Sequence, residues 1–378
     1  MATSNARGKK TSKKAKAKRK LIFLVVEVIV IAILLIALLL WMKLGQANWD
    51  TTITEEDVET NQLSEETAQL LQGYYTIALF GVDNRSNSNY DSGNSDSVMI
   101  VAINKDTKEV KVCSVYRDTY LDVGNNTYKK CNYAYNHGGP AEAISMLNTC
   151  LDLNIEDYIA VDFYALAEVV DEMGGLTIDV SEAEAAEMNG GENYADGGTY
   201  GYIQQTSEIT GIKSKWPIEA GRQKLDGVQT VAYCRIRHCG GDDFSRTERQ
   251  REVVTLLVEE IKNSNAATLD KVITKVLPHV STSYSAAEVT ELALDANAYT
   301  LLGTSGFPFD LTTGKYGSKG SLVVPCSLES NVAKLHEYFY GQEAYQPTDK
   351  VISISDHIKS DTSTGESSAS QHIQEDNN

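Results

Sequence analysis

The feature that most constrains the fold is a long apolar segment near the N-terminus, residues 21–42, which only Glu27 interrupts. At about 1.5 Å of rise per helical residue it spans roughly 33 Å, enough to cross a bilayer. The twenty residues before it contain nine Lys and Arg and no acidic residue. Because cytoplasmic flanks of membrane helices are rich in Lys and Arg, this bias predicts a single-pass cell-membrane protein with a cytoplasmic N-terminus. The rest of the chain is then extracytoplasmic.

A cleaved signal peptide is the competing interpretation of this segment, because Gly45, Gln46 and Ala47 loosely match a small-x-small cleavage site. The apolar run is longer than the roughly 7–15 residues of a signal-peptide core, which favours an uncleaved anchor. Glu27 is costly in lipid, but it lies near the cytoplasmic end of the segment, where it can pair with Lys20.

The charge balance argues against nucleic-acid binding by the extracytoplasmic part. The whole chain has a formal net charge of −18. Without residues 1–20, 25 Lys and Arg stand against 52 Asp and Glu, a net charge of −27. A surface of this sign repels phosphate backbones. Since membrane topology and anionic lipid headgroups already explain the basic tail, we expect no direct nucleic-acid contact.

All six cysteines follow the apolar segment, at positions 113, 131, 150, 234, 239 and 326. Outside the membrane they permit disulfide bonds, with fifteen complete pairings, and the sequence leaves open whether any forms. Zinc binding is poorly supported, because no CxxC occurs and His238 is the only histidine close to a cysteine pair.

Composition divides the remaining residues into three parts. Residues 43–72 are polar and acidic, which predicts a stalk with one short helix. Residues 73–355 are numerous enough to bury a sizeable core, and we assign them to one extracytoplasmic domain. Residues 356–378 are rich in Ser, Thr, Asp, Glu, Gln and Asn, a composition that predicts a disordered tail.

Strand-like and helix-like segments alternate within residues 73–355. Apolar or β-branched runs between turn residues predict strands, and apolar periodicity beside capping residues predicts helices. The predicted strands are residues 74–80, 97–103, 110–115, 159–161 and 176–180. The predicted helices are residues 140–151, 163–173, 246–262, 286–296 and 331–338. Such alternation predicts a layered α/β fold with helices packed on a sheet.

Polar residues suited to chemistry gather at three places in the sequence. Residues 80–85, FGVDNR, end one predicted strand, and Asp96 opens the next. Residues 114–118, SVYRD, end another strand. Residues 235–250 carry four arginines (Arg235, Arg237, Arg246 and Arg249) beside Asp243. Since ligands of α/β folds gather at strand ends, arginine forks suit phosphate and carboxylates hold divalent cations, these clusters indicate phosphoryl chemistry.

Together these motifs resemble the LytR-CpsA-Psr family of membrane-anchored cell-envelope glycopolymer ligases. The resemblance covers about residues 74–262 and rests on eight motifs in the family's order. They are GVD-x-R, SD, S-x-x-RD, N-x-AY-x-x-GG, VD-x-x-GG, LDG, Y-x-R-x-R and D-F-x-R-x-x-RQ. One such motif is weak evidence, whereas eight in order behind a basic tail and an apolar segment are specific.

The resemblance implies a three-layer α–β–α sandwich with a central mixed sheet and an apolar tunnel for a lipid chain. It implies Mg²⁺ as the cofactor, held by the carboxylates of Asp96 and Asp243. The resemblance also implies a set of pyrophosphate-binding residues in the same site as Asp83. They are Arg85, Arg117, Arg235, Arg237, Arg246, Arg249 and Gln250.

The implied activity is the transfer of a polyprenyl-pyrophosphate-linked glycopolymer, such as teichoic acid or capsule, to peptidoglycan. A loose phosphoryl-transfer transition state spreads negative charge over its oxygens, so fixed arginines such as Arg117 and a metal supply most of the catalysis. A sugar hydroxyl would attack the phosphate attached to the polymer, and polyprenyl phosphate would leave. Asp83 or Asp118 could assist as the base, and the sequence does not choose between them. A hydrolase using the same site and a non-catalytic lipid-phosphate-binding scaffold stay as alternatives.

Several of these residues also have a purely structural interpretation. Arg246 and Arg249 lie three apart on one helix face and could pair with neighbouring acidic residues. Asp118 could stabilise a turn. Asp226 is predicted to cap a helix that begins near residue 227, and His137 is predicted to lie in a loop.

The chain departs from the family pattern at three places. Asn94 stands where many members have an arginine two residues before the metal-binding aspartate, so one pyrophosphate contact is missing from the pattern. This departure leaves the turnover rate and the preferred polymer open. Val115 and Tyr116 replace the common Ile-Pro, and Ser245 replaces the glycine of D-F-G-R, where a small serine is compatible with the motif.

Overall fold

The computed structural model describes residues 48–50, 53, 55–82, 90, 93, 95–190, 201–239, 242–285, 287–289, 292, 298–364 and 371–372. Among these residues, no helix is both long and apolar enough to span a bilayer. The predicted membrane segment, residues 21–42, and the basic residues before it lie outside the described part of the chain.

Short strands connected by helices make up most of the described chain. In chain order the strands are β1 (Asn48–Trp49), β2 (Tyr74–Val82), β3 (Ser95–Asn104), β4 (Glu109–Val115), β5 (Tyr120–Asp122), β6 (Tyr128–Lys130), β7 (Asp157–Val161), β8 (Leu176–Val180), β9 (Gly221–Leu225), β10 (Val280–Thr282), β11 (Thr300–Phe307), β12 (Asp310–Lys315), β13 (Ser321–Pro325) and β14 (Gln371–His372).

Within the described residues, seven strands form a central sheet in the order β1-β10-β7-β2-β3-β4-β11. β2 pairs antiparallel with β3 and parallel with β7, while β4 pairs antiparallel with β3 and parallel with β11. The sheet is therefore mixed. The predicted strands at residues 74–80, 97–103, 110–115 and 159–161 each lie inside one of its strands, and residues 176–180 form β8, which pairs with β9 instead.

Helices lie on both faces of the central sheet. They are α1 (Glu65–Gln72), α2 (Asn132–Leu151), α3 (Phe163–Glu172), α4 (Glu182–Asn189), α5 (Tyr202–Thr210), α6 (Gly227–Arg235), α7 (Asp242–Asn263), α8 (Ala266–Val276), α9 (Leu328–Tyr340) and α10 (Asp349–Thr362). A mixed sheet flanked by helices confirms the predicted α/β fold. Of the helix predicted at residues 286–296, only 287–289 and 292 are described, and they are helical.

The main hydrophobic core lies between one sheet face and the helices α2, α9 and α10. Successive side chains of a strand point to opposite faces, so Phe80 and Ile100 are buried on this side. They share one buried cluster with Ile144 of α2, Leu335 of α9 and Ile354 of α10. Burial of such side chains, each worth about 1.5–3 kcal/mol, holds this face closed.

The structure corrects the predicted start of the domain. Residues 61–72 were expected in a stalk, but α1 buries Leu71 in the main core and begins at Ser64, whose hydroxyl accepts the backbone N–H of Thr67. Before it, the Asn61 amide donates to Asp152 Oδ1 at 2.6 Å. The mostly polar composition of this segment did not predict its packing. The burial of Leu71 and side-chain hydrogen bonds such as that of Asn61 hold the segment against the domain.

The predicted disordered tail is also corrected, because α10 continues to Thr362. Val351, Ile354 and Ile358 recur at helical spacing and are buried in the main core. Ile358 lies inside the segment that composition alone assigned to disorder. A single apolar residue at the helical spacing of Val351 and Ile354 therefore predicts this helix better than the average polarity of residues 356–378 does.

All six cysteines are free thiols, which resolves the question that the sequence leaves open. Five of them are buried, and Cys239 is partly exposed. Burial raises the pKa of the Cys113 thiol to about 12, and burial does the same for Cys234. These thiols are therefore protonated at neutral pH and behave as small apolar core residues.

Candidate functional site: an apolar cavity with an arginine-lined mouth

A cavity of about 560 Å³ lies on the sheet face opposite the main core, under the helices α3, α5, α6 and α7. Its lining is mainly aliphatic, with contributions from the sheet and from the helices: Leu79, Met99, Val169, Val253, Leu257 and Ile261. Side chains of this type suit an apolar ligand, and the volume falls within the roughly 300–1,000 Å³ typical of small-molecule sites.

The apolar face of α7 explains why this cavity is open. Val253, Leu257 and Ile261 follow the spacing of one helix face, as the sequence predicts for an amphipathic helix. Val253 is buried, whereas Leu257 and Ile261 are only partly buried. The stripe therefore lines a hollow beside the sheet, while Val253 also belongs to a second buried cluster against which Leu257 packs.

The mouth of the cavity is built around Asp96, near the start of β3. Arg117 Nη1 donates to Asp96 Oδ1 at 2.6 Å, and Arg237 Nη2 lies 3.6 Å from Oδ2. Arg246 Nη2 donates to the Asp96 backbone oxygen at 3.1 Å. The turn after β4, the segment after α6 and the first turns of α7 thus deliver their arginines to one point, as the sequence predicts.

Positive charge predominates among the described side chains of this cluster, with three guanidinium groups around one carboxylate. Arg246 is only 3% exposed and Arg237 is 40% exposed, so the pair presents one rigid and one accessible cation. Fixed guanidinium groups at the edge of a low-dielectric cavity attract an anion more strongly than the same groups in water.

Arg235 occupies the wall of the cavity next to this cluster. Its guanidinium lies 5.2 Å from the ring centroid of Phe163 and 5.6 Å from that of Tyr202. It also donates to Thr206 Oγ1 at 2.8 Å. Cation–π contacts with the two rings and the hydrogen bond to Thr206 fix the orientation of this arginine at the cavity wall.

Arg249 does not join the arginines at the mouth. Its Nε donates to Glu184 Oε1 at 2.7 Å, and its other nitrogens donate to the backbone oxygens of Ile236 and Cys239. Burial alone would raise the pKa of Glu184, but the hydrogen bonds from Arg249 and Ser181 lower it below its ordinary value. Arg249 therefore holds the segment that carries Arg237, and its acidic partner is Glu184, not one of the acidic residues close to it in sequence.

Two further predicted residues differ in their placement. Gln250 lines the cavity, and its amide nitrogen lies 3.4 Å from the backbone oxygen of Cys234. Asp118 does not line the cavity, and its Oδ2 accepts Lys130 Nζ at 2.8 Å.

Several predicted positions lie outside the described residues. They are Asp83, Arg85 and Asn94, together with the side chain of Asp243. Among the side chains that the structure does describe, no group of three or more His, Cys, Asp and Glu is arranged to hold a metal ion.

Sequence reasoning missed Asp162, which lines the cavity directly after β7. Its Oδ2 accepts the hydroxyl of Tyr90 at 3.0 Å and lies 3.2 Å from His279 Nδ1, while Oδ1 caps α3. Val161 pairs with Gly81, which pairs with Ser97, so Asp162 stands two strands, or roughly 10 Å, from Asp96. Its position after a predicted strand was the signal that could have identified it.

Two of the family-like motifs act by docking α6, whose last residue is Arg235. Asp226 caps this helix as predicted, since its Oδ1 accepts the Gln229 backbone N–H. The backbone N–H of Gly227 donates to Asp171 Oδ1 at 2.7 Å. The LDG and VD-x-x-GG motifs therefore bind each other and set the position of α6.

His137 is not in the predicted loop. It lies in α2, immediately before Gly138 and Gly139, whose backbone angles interrupt the helix. Its ring stacks on Tyr133 and contacts the Glu142 carboxylate at 2.9 Å, away from the arginine cluster.

A comparison with protein families identifies the class of this protein. The model of the LytR_cpsA_psr family matches residues 40–302 of the 378-residue chain. The chain belongs to the LytR_cpsA_psr family. The matched LytR_cpsA_psr region contains Asp96, Arg117, Arg237 and Arg246, so the whole arginine cluster lies inside it.

Two curated relatives are polyisoprenyl-teichoic acid–peptidoglycan teichoic acid transferases. The chain is 25% identical to TagU of Enterococcus faecalis over 58% of its own length and 65% of that protein. It is 26% identical to TagV of Bacillus subtilis over 67% of its length and 63% of that protein. The match thus spans a little less than two thirds of each of these LytR_cpsA_psr relatives.

The fold also matches a solved structure. A crystal structure of a Streptococcus agalactiae protein superposes with a TM-score of 0.58 at 20% identity, covering 83% of this chain and 95% of that one. At this level of identity the likeness establishes the fold.

Proposed function

We propose that this protein transfers an anionic glycopolymer, such as a teichoic acid or a capsular polymer, from polyprenyl pyrophosphate to peptidoglycan. The observation that carries the proposal is the apolar cavity whose lining includes Arg237 and Arg246, with Arg117 hydrogen-bonded to Asp96 of the same lining. A polyprenyl pyrophosphate has the same two parts, an apolar chain and a doubly charged headgroup. The names of the curated relatives, which specify teichoic acid and peptidoglycan, support this choice of substrates.

The reaction is a substitution at the phosphorus attached to the polymer. The oxygen of a peptidoglycan sugar hydroxyl forms the new P–O bond, and the bond to the bridging pyrophosphate oxygen breaks. The products are a phosphodiester and polyprenyl phosphate. Arg117, Arg237 and Arg246 would hold the headgroup and stabilise the charge that develops on its oxygens.

The hydroxyl proton needs an acceptor. Asp83 and Asp118 are the two acids that the family resemblance offers for this role. Asp118 is paired with Lys130 Nζ at 2.8 Å, and either acid could act as the base. A base at this position would shift electron density to the attacking oxygen as the new bond forms.

The cluster also fits a divalent cation chemically. Oδ2 of Asp96 lies 3.6 Å from Arg237, beyond hydrogen-bond distance, so it keeps lone pairs for a hard cation. We propose that Asp96 and Asp243 hold Mg²⁺, which would supply additional positive charge at the headgroup.

We further propose that residues 21–42 anchor the chain in the cell membrane with its N-terminus in the cytoplasm. This placement brings the cavity to the side where lipid-linked wall precursors meet peptidoglycan. Protease added outside intact cells should digest residues 48–364 and spare an N-terminal epitope tag, and digestion of the tag would contradict the orientation.

A transfer assay tests the proposal directly. Full-length protein in detergent would receive a labelled polyprenyl-pyrophosphate saccharide, Mg²⁺ and peptidoglycan oligomers. We expect label on the oligomers, and a loss of about 10²–10³ in rate for Arg246→Ala, since one fixed donor to the transition state is removed. The matched control, Arg222→Ala, removes an exposed arginine on β9 and should keep the wild-type rate.

The other outcomes discriminate among the alternatives. Free phosphorylated saccharide without labelled oligomer would identify a hydrolase, and tight binding without turnover would identify a scaffold. Turnover that survives removal of Mg²⁺ by a chelator would contradict the metal assignment.

A further inference from the structure

A second cavity, of about 370 Å³, lies at the opposite end of the central strands. It is formed by the start of β2, the segment before β7 and the residues that follow β10. Tyr75 lies near the first residue of β2, whereas Gly81 at its other end lines the large cavity. At roughly 3.3 Å per residue the two cavities are on the order of 20 Å apart, so this one is independent of the arginine cluster.

Tyr284 gives this cavity an unused polar group. The residue is only 5% exposed and lines the cavity. Its backbone N–H donates to Thr282 Oγ1, but its hydroxyl makes no hydrogen bond with any residue that the structure describes. This hydroxyl has no protein partner, so its position beside an open cavity indicates a place for a ligand or ordered water.

A second unsatisfied acceptor lies in the same lining. Oδ1 of Asn154 is buried and has no hydrogen-bond partner in the described chain. Asp157 also lines the cavity, and its Oδ1 accepts Ser283 Oγ at 2.8 Å, which leaves Oδ2 available. The cavity therefore offers a carboxylate oxygen and a phenolic oxygen, each able to accept a hydrogen bond.

The electrostatic environment of the cavity is negative. Among the described residues, three carboxylates line it, those of Glu156, Asp157 and Glu288, against one cation, Lys105. Burial raises the pKa of the Tyr284 phenol, and the charges of Asp157 and Glu288 raise it further. The excess negative charge disfavours anions and favours a cationic ligand.

The chain's own ammonium group shows how such a ligand is held here. Lys105 Nζ lies 4.5 Å from the centroid of the Tyr75 ring and donates to the Gln72 backbone oxygen at 2.8 Å. A ring face and a neighbouring oxygen are the partners that an ammonium ion prefers. The volume that remains is far larger than a metal ion needs, so an organic cation fits better.

From these observations we propose that the second cavity binds a primary ammonium group carried on an alkyl chain. The N–H donors of such a group match the acceptor oxygens of Asp157 and Tyr284. The tyrosine rings cover the adjoining methylene groups. This site differs from the arginine-lined mouth in location and in the sign of its charge, and it does not depend on the proposed transfer reaction.

The test uses two probes of equal length on the full-length protein in detergent. 1,5-Diaminopentane carries the ammonium groups, and 1,5-pentanediol replaces them with neutral hydroxyls. Isothermal titration calorimetry should show saturable binding of the diamine and none of the diol. No saturable binding of the diamine, or equal binding of the diol, would overturn the proposal.

Two variants locate the binding. Tyr284→Phe removes a hydroxyl that has no protein partner, so the fold is retained, and the Kd should rise several-fold. Asp157→Asn removes the charge and should raise the Kd on the order of tenfold. The control, Glu259→Gln, removes an exposed carboxylate of α7 and should leave the Kd unchanged. Wild-type affinity in Tyr284→Phe and Asp157→Asn would place the diamine elsewhere and contradict the assignment.

Discussion

Arginines that stand close together in this sequence have different surroundings in the fold. Arg237 and Arg246 reach Asp96 at the mouth of the large cavity. Arg249, one helical turn after Arg246, is turned toward Glu184 and two backbone oxygens instead. Two arginines one helical turn apart therefore have different roles. Arg246 lines the cavity, and Arg249 stabilises the fold through its ion pair and backbone hydrogen bonds.

This difference predicts opposite effects of two alanine substitutions. Arg249→Ala should lower the free energy of unfolding by about 3 kcal/mol, because it leaves the carboxylate of Glu184 buried without its charged partner. Arg237→Ala should leave that free energy within about 0.5 kcal/mol, because the side chain is partly exposed, and should weaken pyrophosphate binding. Urea denaturation and calorimetry with a prenyl pyrophosphate measure both. Equal loss of stability in the two variants would contradict the assignment.

The same ion pair predicts a pH dependence of stability. The folded-state pKa of Glu184 is lowered from its ordinary value of 4.5, so the pair stabilises the protein fully above about that pH. The contribution is lost as the pH falls through the lowered pKa. The stability difference between wild type and Arg249→Ala should therefore narrow in acid, and a difference that widens there would refute the pairing.

Single residues show where sequence reasoning succeeds and where it ends. Asp96, Arg117 and Arg246 were expected together because motif order and strand ends place them at one edge of the sheet. The direction of the Arg249 side chain depends on Glu184, which belongs to a helix 60 residues earlier, and spacing along one helix does not show such a partner. Asp162 was missed because no recognised motif marks it.

At the scale of elements, close packing accounts for several sequence features near the site. Tyr116 is buried where the family commonly has proline, and its ring packs edge-on against Phe244 of α7 with centroids 4.7 Å apart. A Cβ at Gly306 would lie 2.1 Å from the Tyr116 hydroxyl oxygen, so the tyrosine requires a glycine on β11. Tyr116 thus braces the turn that carries Arg117 against the start of α7.

The docking of α6 predicts a strong effect at Gly227. A Cβ there would lie 2.0 Å from the backbone oxygen of Ala167 in α3, and a backbone atom cannot yield as a side chain does. Gly227→Ala should therefore lower the free energy of unfolding by about 3 kcal/mol and should displace Arg235 from the cavity wall.

Gly211→Ala is the matched control for that change. Gly211 has a φ of 72° and open space around its Cα, so alanine meets only the backbone strain of about 1–2 kcal/mol. Thermal and urea denaturation of both variants test the comparison. A smaller effect at position 227 than at position 211 would show that the helices separate easily and would contradict the close contact.

Element boundaries were the least predictable part of the fold. The helix predicted at residues 140–151 begins at Asn132, and Gly138 and Gly139 interrupt it just before Pro140. Pro140 correctly predicted the part of the helix that follows the glycines. The part before them was not predicted, because two consecutive glycines normally end a helix, whereas here they form a kink within it.

At the scale of the whole molecule, the segments that precede α1 and α10 meet at one buried aspartate. Asp152 accepts the Asn61 amide through Oδ1, and it accepts Tyr345 Oη and the Thr348 backbone N–H through Oδ2. Segments that composition placed in a stalk and near a tail are therefore tied to α2. The average composition of a 20-residue segment does not predict hydrogen bonds between residues far apart in sequence.

This arrangement predicts that α10 is required for folding. Deleting residues 349–378 removes the buried side chains of Val351, Ile354 and Ile358, worth roughly 5 kcal/mol or more together. Since domains are stable by only about 5–15 kcal/mol, the shortened protein should be largely unfolded by circular dichroism. Deleting residues 373–378 alone, which leaves β14 in place, should keep the wild-type melting temperature, and an equally stable protein after the longer deletion would contradict the role of α10.

The alternation of elements was sufficient to predict the α/β class, because helix and strand periodicities are local properties of the chain. The cavity was not predictable in the same way. Val253, Leu257 and Ile261 have the pattern of an ordinary core-facing stripe, and only the packing of α7 against the sheet shows that a hollow remains beside them.

The central claim is that one cavity binds both parts of a polyprenyl pyrophosphate, and a crystal structure with a short-chain prenyl pyrophosphate and Mg²⁺ tests it most directly. The account predicts the headgroup within hydrogen-bond distance of Arg237 and Arg246, and the prenyl chain against Val253 and Leu257. A prenyl chain bound outside this cavity, or a headgroup held by other cations, would contradict it.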